Sequence, residues 1–484
     1  MTPIDLAVMA AYFLIIVGIG SHFARRQADA SDYFLGRHEL PWWAVMFSIV
    51  ATETSALTVI SVPALGARGN FTFLQIAMGY LVGRIGVAWW LLPGYFRGTQ
   101  ETAYSRLETR FGTGTRRTAS ALFMVIRALG DSVRVFASAI PLAIVTGWGV
   151  PASVLVIAVV TLVYTWRGGL RAVVWVDVLQ LALYVIGGIA TIAVATTLAG
   201  GFGTALGAAS GAGKLAVFDW RFSFTEPYTF VAAVVGGALL SAASHGTDHL
   251  IVQRLLATRS LAGARKALVG SGLLVIGQFA LFLLVGTMLW AAGIDDGSGS
   301  GDQLFPNFVV GHLPPGLSGL VIAGVLAAAM STVSSSLNSL ASASTHDFYA
   351  PISGRRDPAH LLSVGRWATM GWAVVLAGGA LLFKSTDQPV VELALAIASI
   401  TYGGLLGTYV LGGVSRSARQ TDAIAGLSAG TITMVIVVLV KPGPFAHLAW
   451  PWYVPLGFVI TLAVSSLSAF ALRSRGRAEP ANSA

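Results

Sequence analysis

Apolar runs of about 20 residues recur from one end of this chain to the other, and each is long enough to cross a bilayer core about 30 Å thick. Backbone polar groups inside a membrane must be satisfied internally, so a spanning segment is a helix or part of a closed barrel. Uninterrupted runs of this length fit helices. Only 11% of the 484 residues are charged and 55% are hydrophobic, a balance that a soluble domain of this length does not have. The sequence therefore predicts an all-α integral membrane protein.

The hydropathy pattern predicts about 13 transmembrane helices. Their approximate bounds are 6–23, 41–66, 72–96, 117–146, 150–166, 173–199, 229–256, 266–292, 315–346, 366–384, 390–414, 422–440 and 452–472. We interpret residues 1–40 as a lead transmembrane helix with a cytoplasmic loop, 41–414 as a ten-helix core, and 415–484 as two trailing helices with a short cytoplasmic tail. The first span lacks a basic leader and a convincing cleavage site, so we expect a retained helix rather than a signal peptide.

Basic residues are distributed unevenly between the two sides of these spans. Of the 30 lysines and arginines, 21 lie in loops assigned to the cytoplasmic side and five in loops on the other side. The excess of basic loop residues on one side predicts an outside N-terminus and a cytoplasmic C-terminus, in the inner (plasma) membrane of the cell. The net charge of +9 is therefore an orientation signal and does not indicate a nucleic-acid partner. Because the chain has no cysteine, it has no disulfide and no thiolate metal site.

Residues 321–347 begin as an apolar helix and then fill with hydroxyl groups. On a helix, one face would carry small residues spaced three or four apart, namely Gly324, Ala328, Ser331, Ser335, Asn338 and Ser342, with Ser334 beside them. Their oxygens could replace water around a hard cation. The alternative is a tight seam between helices, because small residues let membrane helices approach closely. A carboxylate or free carbonyl groups from another helix at the same place would favour the cation site.

The span 41–66 is polar in its middle, where Ala51-Thr52-Glu53-Thr54-Ser55-Ala56 includes a carboxylate. A charged group at that depth costs several kcal/mol unless it is solvated or paired, so Glu53 is a candidate functional residue. A break in the helix here would expose backbone carbonyl groups that bind ions and substrates. The alternative is a protonated Glu53 that hydrogen-bonds to a neighbour.

Three further spans carry charged residues. Asp177 lies about two turns into its span, where it could sit beside a cation or form a salt bridge to a basic residue at the inner surface. Asp248 and Arg254 lie towards the inner end of theirs, which indicates structural pairing or a gate. His245 and His249 have the spacing of metal ligands, but no third ligand is evident, which favours a role in helix packing.

Arg127, Asp131 and Arg134 lie one turn apart on the span 117–146. They could neutralise one another along the helix. Alternatively, Arg134 faces a cavity and binds an anionic or hydroxyl-rich substrate, because a guanidinium group suits carboxylates. Gln75 is a weaker candidate for the lining of such a cavity, and Arg84 is expected to be paired or to extend towards the membrane surface.

Sequence motifs for energy-coupled or hydrolytic enzymes are missing. The chain contains no GxxxxGK[ST] sequence, so ATP is not indicated as an energy source. It also contains no HExxH motif. We therefore predict no catalytic residue and no enzymatic activity.

These polar segments, taken together and in this order, resemble the sodium:solute symporter family. The resemblance covers about residues 5–440 and rests on Gly168-Gly169-Leu170 to Gln180, Thr247-Asp248 with Val252-Gln253-Arg254, and Met330 to Ser335 with Asn338-Ser339. It implies a leucine-transporter-like core, made of two inverted repeats of five helices, that works by alternating access. It also implies symport of Na⁺ with a small polar organic solute.

The resemblance implies where Na⁺ would bind. A first site would use the carbonyl groups of Ala51, Thr54 and Ala328 with the hydroxyl groups of Ser331 and Thr332. A second site, found in some members of the family, would use Asp177, Ser334 and Ser335. The solute would bind beside Thr52, Glu53, Ser55 and Thr58, with Gln75 and Arg134 as further candidates.

The solute itself is left open by the residues. Glu53 stands where better-known members carry a neutral residue or aspartate, so sugar, sialic acid, amino acid and monocarboxylate all remain candidates. Proton coupling through Glu53, a membrane sensor built on the same fold and an integral-membrane enzyme are the alternatives to sodium symport. The expected partners are the solute, Na⁺ and the lipid bilayer.

Overall fold

The computed structural model of the protein describes residues 2–24, 29–98, 100–295, 301–383 and 390–477. Within these ranges every regular element is a helix. The longer helices are α1 (Pro3–Ala24), α2 (Trp42–Glu53), α3 (Ala56–Arg68), α4 (Leu74–Gly86), α5 (Thr113–Thr146), α6 (Val150–Leu198), α7 (Phe230–Gly246), α8 (His249–Leu256), α9 (Leu261–Ala291), α10 (Gly301–His312), α11 (Leu317–Ala343), α12 (Pro358–Leu382), α13 (Val390–Val414), α14 (Gln420–Leu439) and α15 (Tyr453–Arg477).

Shorter helical segments connect these helices. The α-helical ones are Ala30–Leu35, Leu92–Tyr95, Ser105–Phe111, Phe202–Gly211 and Ala350–Ser353. The 3₁₀ segments are Gly36–His38, Phe71–Phe73, Gly443–Phe445 and Trp450–Trp452, and the π-helical segments are Val87–Leu91 and Ser344–Tyr349.

The described residues contain nine continuous helices that are long and apolar enough to cross a membrane, and two bent helix pairs bring this number to eleven. The 34-residue helix α5 is not among them. Helix α6 has 49 residues and a rise of about 70 Å, more than twice a bilayer core. It is interrupted at Gly169, whose φ of 56° and ψ of −158° are open only to glycine. The multi-pass membrane fold is confirmed, whereas the count of thirteen spans stays a prediction.

The two bent pairs are helices that break inside the bundle. Helices α2 and α3 meet at 66°, because Thr54 (ψ 92°) and Ser55 (ψ 167°) leave the helical conformation. Helices α7 and α8 meet at 59°, and the Asp248 carboxylate caps the start of α8 by accepting from the Leu250 N–H at 2.9 Å. The first break, expected from its polar residues, is present although it contains neither glycine nor proline.

Helix α11 is the centre of the molecule. Every residue from 321 to 343 is buried, and the helix packs against α2, α5, α6 and α8. The lead helix α1 also packs on it, and Asp5 accepts from the Gly316 and Gly319 N–H groups and the Ser318 hydroxyl at its start. The hydroxyl groups of α11 therefore face protein and not lipid. The division of the chain at residues 40 and 414 stays a prediction.

Candidate functional site

The broken helix α2–α3 and the hydroxyl-rich helix α11 meet at Thr332. The Thr332 Oγ1 lies 3.3 Å from the Thr52 carbonyl oxygen and 3.4 Å from the Ala328 carbonyl oxygen. The Ser55 N–H would bond to the Ala51 carbonyl in a continuous helix, but here it donates to the Glu53 carbonyl at 3.1 Å. This junction therefore collects neutral oxygen atoms from two helices in a buried place, the donor set that a dehydrated alkali cation requires.

The Ser331 hydroxyl contacts Asp177, which also lies 3.4 Å from the Thr52 hydroxyl. It donates to the Asp177 carboxylate at 2.6 Å, and Ser48 also donates to that carboxylate. The guanidinium group of Arg254 lies 3.4 Å from Asp177, and both side chains are fully buried. The salt bridge that the sequence left as an alternative for Asp177 is therefore present, and its partner is a buried arginine of the second broken helix.

The other hydroxyl groups of the predicted sodium sites have protein partners. Ser335 Oγ lies 3.0 Å from the Thr52 Oγ1 and also accepts from Arg254. Ser334 donates to the Ser331 carbonyl at 3.0 Å within its own helix. The Thr54 side chain faces the Gln278 amide, 2.6 Å from its Nε2, so only the Thr54 backbone is available to the junction.

A cavity of about 130 Å³ opens beside the broken helix. Four of the predicted solute-binding residues, Thr52, Glu53, Thr58 and Arg134, line it. The remaining lining residues are Val62, Phe73, Tyr80, Arg127, Leu240, Ser244, His245, Asp248, Leu250, Ile251, Phe279, Ala398 and Tyr402. Ser55 is buried next to Thr54 but is not part of this lining.

Glu53 lines the cavity and is paired with a buried arginine. Its carboxylate is bonded to Arg84, which is fully buried and is held in turn by the Ser271 hydroxyl at 2.7 Å and the Ser241 hydroxyl at 3.4 Å. Arg84 is not a lining residue, so the pair presents its negative end to the cavity. This ion pair takes the place of the protonated Glu53 that the sequence left as an alternative, and Arg84 is paired as expected.

The lining of the cavity also includes two arginines of α5. Arg127 is bonded to Asp248, which the Tyr402 hydroxyl also reaches at 2.8 Å. Arg134 is bonded to Asp131, which also accepts from Ser336 of α11. Asp131 also lies 3.7 Å from Arg127, so the charges of this helix neutralise one another. Arg134 nevertheless lines the cavity, so both interpretations of the sequence hold together.

Gln75 is placed away from this cavity. Its Nε2 donates to the Tyr228 carbonyl at 2.8 Å and to the Thr72 carbonyl at 3.1 Å, and its Oε1 accepts from the Asp219 N–H at 3.3 Å. The side chain is fully buried, and these bonds hold the loop before α7 against α4. The structure therefore gives Gln75 an anchoring role in place of the predicted contact with solute.

A second polar cluster lies at the far end of α11. Asp347 accepts from Thr102, Ser120 and Arg116, each at 2.7 Å. Nearby, the His346 imidazole lies 3.0 Å from a Glu101 carboxyl oxygen and lowers the pKa of Glu101. These contacts join the end of α11 to the connecting segment before α5.

Several lining residues have no signal in the sequence. Phe73, Tyr80, Phe279 and Tyr402 are aromatic residues on apolar spans, where they are indistinguishable from side chains that face lipid or a neighbouring helix. Ser244 and His245 do stand out as polar residues, but the sequence only indicates a role in packing. The helix break at Thr247 brings them to the cavity.

Comparison with known proteins identifies the same family that the sequence motifs resemble. The family model described as the sodium:solute symporter family matches residues 33–430. The human sodium-coupled monocarboxylate transporter 2 is 29% identical over 468 residues, covering 92% of this chain and 74% of that protein. The sodium/sialic acid symporter NanT of Aliivibrio fischeri (strain ATCC 700601 / ES114) is 28% identical over 439 residues, covering 88% of this chain and 86% of that protein.

Solved structures share the fold. A Na⁺-coupled sialic acid symporter, in a substrate-bound outward-open state, superposes with a TM-score of 0.87 at 24% identity, over 97% of this chain and 98% of that chain. A nucleobase-cation-symport-1 family transporter in a closed conformation gives 0.60 at 13% identity, over 93% and 96%. The predicted all-α fold is confirmed.

Proposed function

Because the chain belongs to the sodium:solute symporter family, we propose that the solute it moves with Na⁺ is a small organic anion held by its carboxylate. The protein is a sodium-coupled secondary active symporter of a small solute and spans its membrane many times. It is a transporter and not an enzyme. Its energy source is the Na⁺ gradient, as the resemblance to this family implied.

The observation that carries the proposed solute class is the state of Arg134. One of its amino groups is bonded to Asp131, and among the residues described its other N–H groups have no protein partner. The side chain is 19% exposed and lines the cavity, whereas Arg127 is occupied by Asp248 and Tyr402. A guanidinium group with free donors binds a carboxylate through two parallel hydrogen bonds. Two relatives, by their names, carry a monocarboxylate and sialic acid, which share this group.

We propose that Na⁺ binds at the junction of α2 and α11, through the carbonyl groups of Ala51, Thr54 and Ala328 and the hydroxyl groups of Thr332 and Ser331. The contacts of Thr332 with Thr52 and Ala328 support this site, which adjoins the cavity through Thr52. An ion there would fix the broken end of α2, and with it the cavity wall. Binding of Na⁺ would therefore precede and strengthen binding of the solute.

A second sodium site at Asp177, Ser334 and Ser335 is a weaker proposal. The Arg254 guanidinium group is bonded to Ser335 and lies 3.4 Å from Asp177, so it already supplies positive charge there. A second ion would have to displace it. One Na⁺ that moves down 100 mV releases about 2.3 kcal/mol. A tenfold concentration ratio adds about 1.4 kcal/mol. Because the negative charge of a carboxylate solute cancels that of one Na⁺, symport with one ion moves no net charge, and the concentration ratio alone supports about tenfold accumulation.

We also propose that the protein lies in the plasma membrane, with its N-terminus outside and its C-terminus in the cytoplasm. The distribution of lysine and arginine between the loops supports this orientation.

The test is uptake of labelled carboxylates into proteoliposomes that carry the purified protein. We expect uptake of propionate or lactate to require an inward Na⁺ gradient and, with one Na⁺ per carboxylate, to be electroneutral. Arg134→Gln should raise the KM for the carboxylate at least about tenfold, because it removes a charged hydrogen-bonding partner.

The matched control is Arg221→Gln, which changes an exposed arginine that pairs with Asp219 in an outer loop. Equal KM values for the wild type and Arg134→Gln would contradict the proposed contact. Uptake in Na⁺-free buffer driven by a pH gradient would contradict sodium coupling and favour protons.

A further inference from the structure

The cavity has a second polar end, formed by Glu53 and His245, that the carboxylate contact does not use. Glu53 is bonded to Arg84 through Oε2, and its side chain is 18% exposed on the cavity side. In this pair the cation is fully buried, whereas the anion is partly exposed and lines the cavity. Glu53 is therefore placed to accept a hydrogen bond from a bound molecule.

His245 lies beside it and has an unused nitrogen atom. The ring is 3% exposed and lines the cavity, and its Nε2 is buried without a hydrogen-bond partner. This Nε2 lies 3.7 Å from the Glu53 Oε2, which is too far for a hydrogen bond. A buried ring nitrogen without a partner is costly, so a molecule that bonds to it gains that free energy.

The proton on the His245 ring can be placed from its neighbours. The Ser244 Oγ lies 2.8 Å from Nδ1 and 3.4 Å from the Ser241 carbonyl. We assign the hydroxyl proton to the shorter of these two contacts, so that Nδ1 is the acceptor. The ring proton then lies on Nε2, and it faces the Glu53 carboxylate, which favours this tautomer. The subsite thus offers one acceptor, Glu53, and one donor, His245 Nε2–H.

We propose that Glu53 and His245 recognise a hydroxyl group on the solute, so that the preferred substrate is a small hydroxycarboxylate. This inference rests on the proposed function, because the carboxylate of the same molecule is held by Arg134, which lines the same cavity. A hydroxyl group donates to Glu53 and accepts from His245 at once. An ammonium group would leave the Nε2–H without an acceptor, and a second carboxylate would be repelled by Glu53.

The size of the cavity limits the rest of the molecule. Its volume is about 130 Å³. A protein cavity of about 150 Å³ holds benzene, which has six non-hydrogen atoms. A molecule such as lactate has the same number of non-hydrogen atoms and fits this volume. Phe73 and Phe279 provide apolar surface for its methyl group.

The experiment compares three molecules of nearly equal size, lactate, propionate and alanine, as competitors of labelled lactate uptake by wild-type protein in proteoliposomes. We expect lactate to compete at a concentration at least about tenfold lower than either of the others, because a site built for a hydroxyl group rejects an analogue that lacks it. Equal competition by propionate, or stronger competition by alanine, would overturn the proposal. Propionate would then still be transported, and the proposed function would stand.

Two variants test whether Glu53 and His245 produce the preference for lactate over propionate. His245→Phe removes the donor at constant shape, and Glu53→Asp keeps the ion pair with Arg84 but withdraws the carboxylate from the cavity. Both should reduce the ratio of lactate to propionate affinity to below about threefold, whatever their effect on total uptake. The control is His360→Phe, because His360 bonds to Tyr349 outside the cavity. If the ratio of lactate to propionate affinity falls in His360→Phe, or stays unchanged in both cavity variants, Glu53 and His245 do not recognise the hydroxyl group.

Discussion

Three ion pairs inside the bundle join different helices, in addition to the pairing of Asp131 with Arg134 along α5. Asp177 meets Arg254, Asp248 meets Arg127, and Glu53 meets Arg84. An isolated charge at this depth would cost several kcal/mol, and a partner with further hydrogen bonds offsets much of that cost. The pairs join the two broken helices to their neighbours, so the residues that neutralise one another also fix the geometry of the site.

Thr332→Ala should weaken activation of uptake by Na⁺. The substitution removes the hydroxyl group between the Thr52 and Ala328 carbonyls, so the Na⁺ concentration for half-maximal uptake should rise about tenfold. Thr345→Ala is the control, because that hydroxyl bonds to the Ala341 carbonyl of the same helix segment. Unchanged Na⁺ activation in Thr332→Ala would exclude the hydroxyl as a ligand.

Asp177→Asn should lower the thermal stability of the purified protein. Arg254 would stay buried without a counter-charge, which costs about 3–5 kcal/mol. The double variant Asp177→Asn with Arg254→Gln should recover much of the loss in a detergent thermal-shift measurement. If the double variant is no more stable than the single one, Asp177 does not act through Arg254, and an ion at Asp177 becomes the better explanation.

At the scale of the elements, close approach of helices depends on glycine. A Cβ atom on Gly286 of α9 would lie 1.7 Å from the Pro63 carbonyl of α3, and one on Gly66 would lie 2.1 Å from the Leu283 carbonyl. Helix α3 is the second half of the broken helix, so this backbone contact holds the half that carries Thr58 and Val62. Small residues at such contacts let membrane helices pack without a gap.

Gly286→Ala should therefore destabilise the protein, although alanine is the better helix former by about 1 kcal/mol. The matched control is Gly277→Ala on the same helix, where the added Cβ meets open space. We expect the melting temperature to fall by several degrees for Gly286→Ala and to stay equal or rise for Gly277→Ala. Equal melting temperatures for the two variants would show that α3 and α9 do not pack this closely.

At the scale of the whole molecule, the proposed orientation can be tested with single cysteines, because the chain has none. Ser210→Cys and Ser353→Cys introduce one thiol each at exposed positions. A membrane-impermeant maleimide should label the first in intact cells and the second only after permeabilisation. The opposite pattern would reverse the predicted topology.

The sequence by itself determined the class of the protein and the position of its polar segments. Hydropathy, basic loop residues and the polar run around Glu53 are properties of neighbouring residues, so they can be read along the chain. The hydroxyl-rich face of α11 and the break after Glu53 were predicted in the same way.

Only the tertiary structure decided which of these groups meet. Asp177 and Arg254 are 77 residues apart, Glu53 and Arg84 lie on different helices, and Gln75 turns to the loop before α7. Ser331 and Thr332 are adjacent in sequence, yet one bonds to Asp177 and the other approaches Thr52. The rotation of each helix about its axis selects these partners, and that rotation is fixed by packing against every neighbour at once.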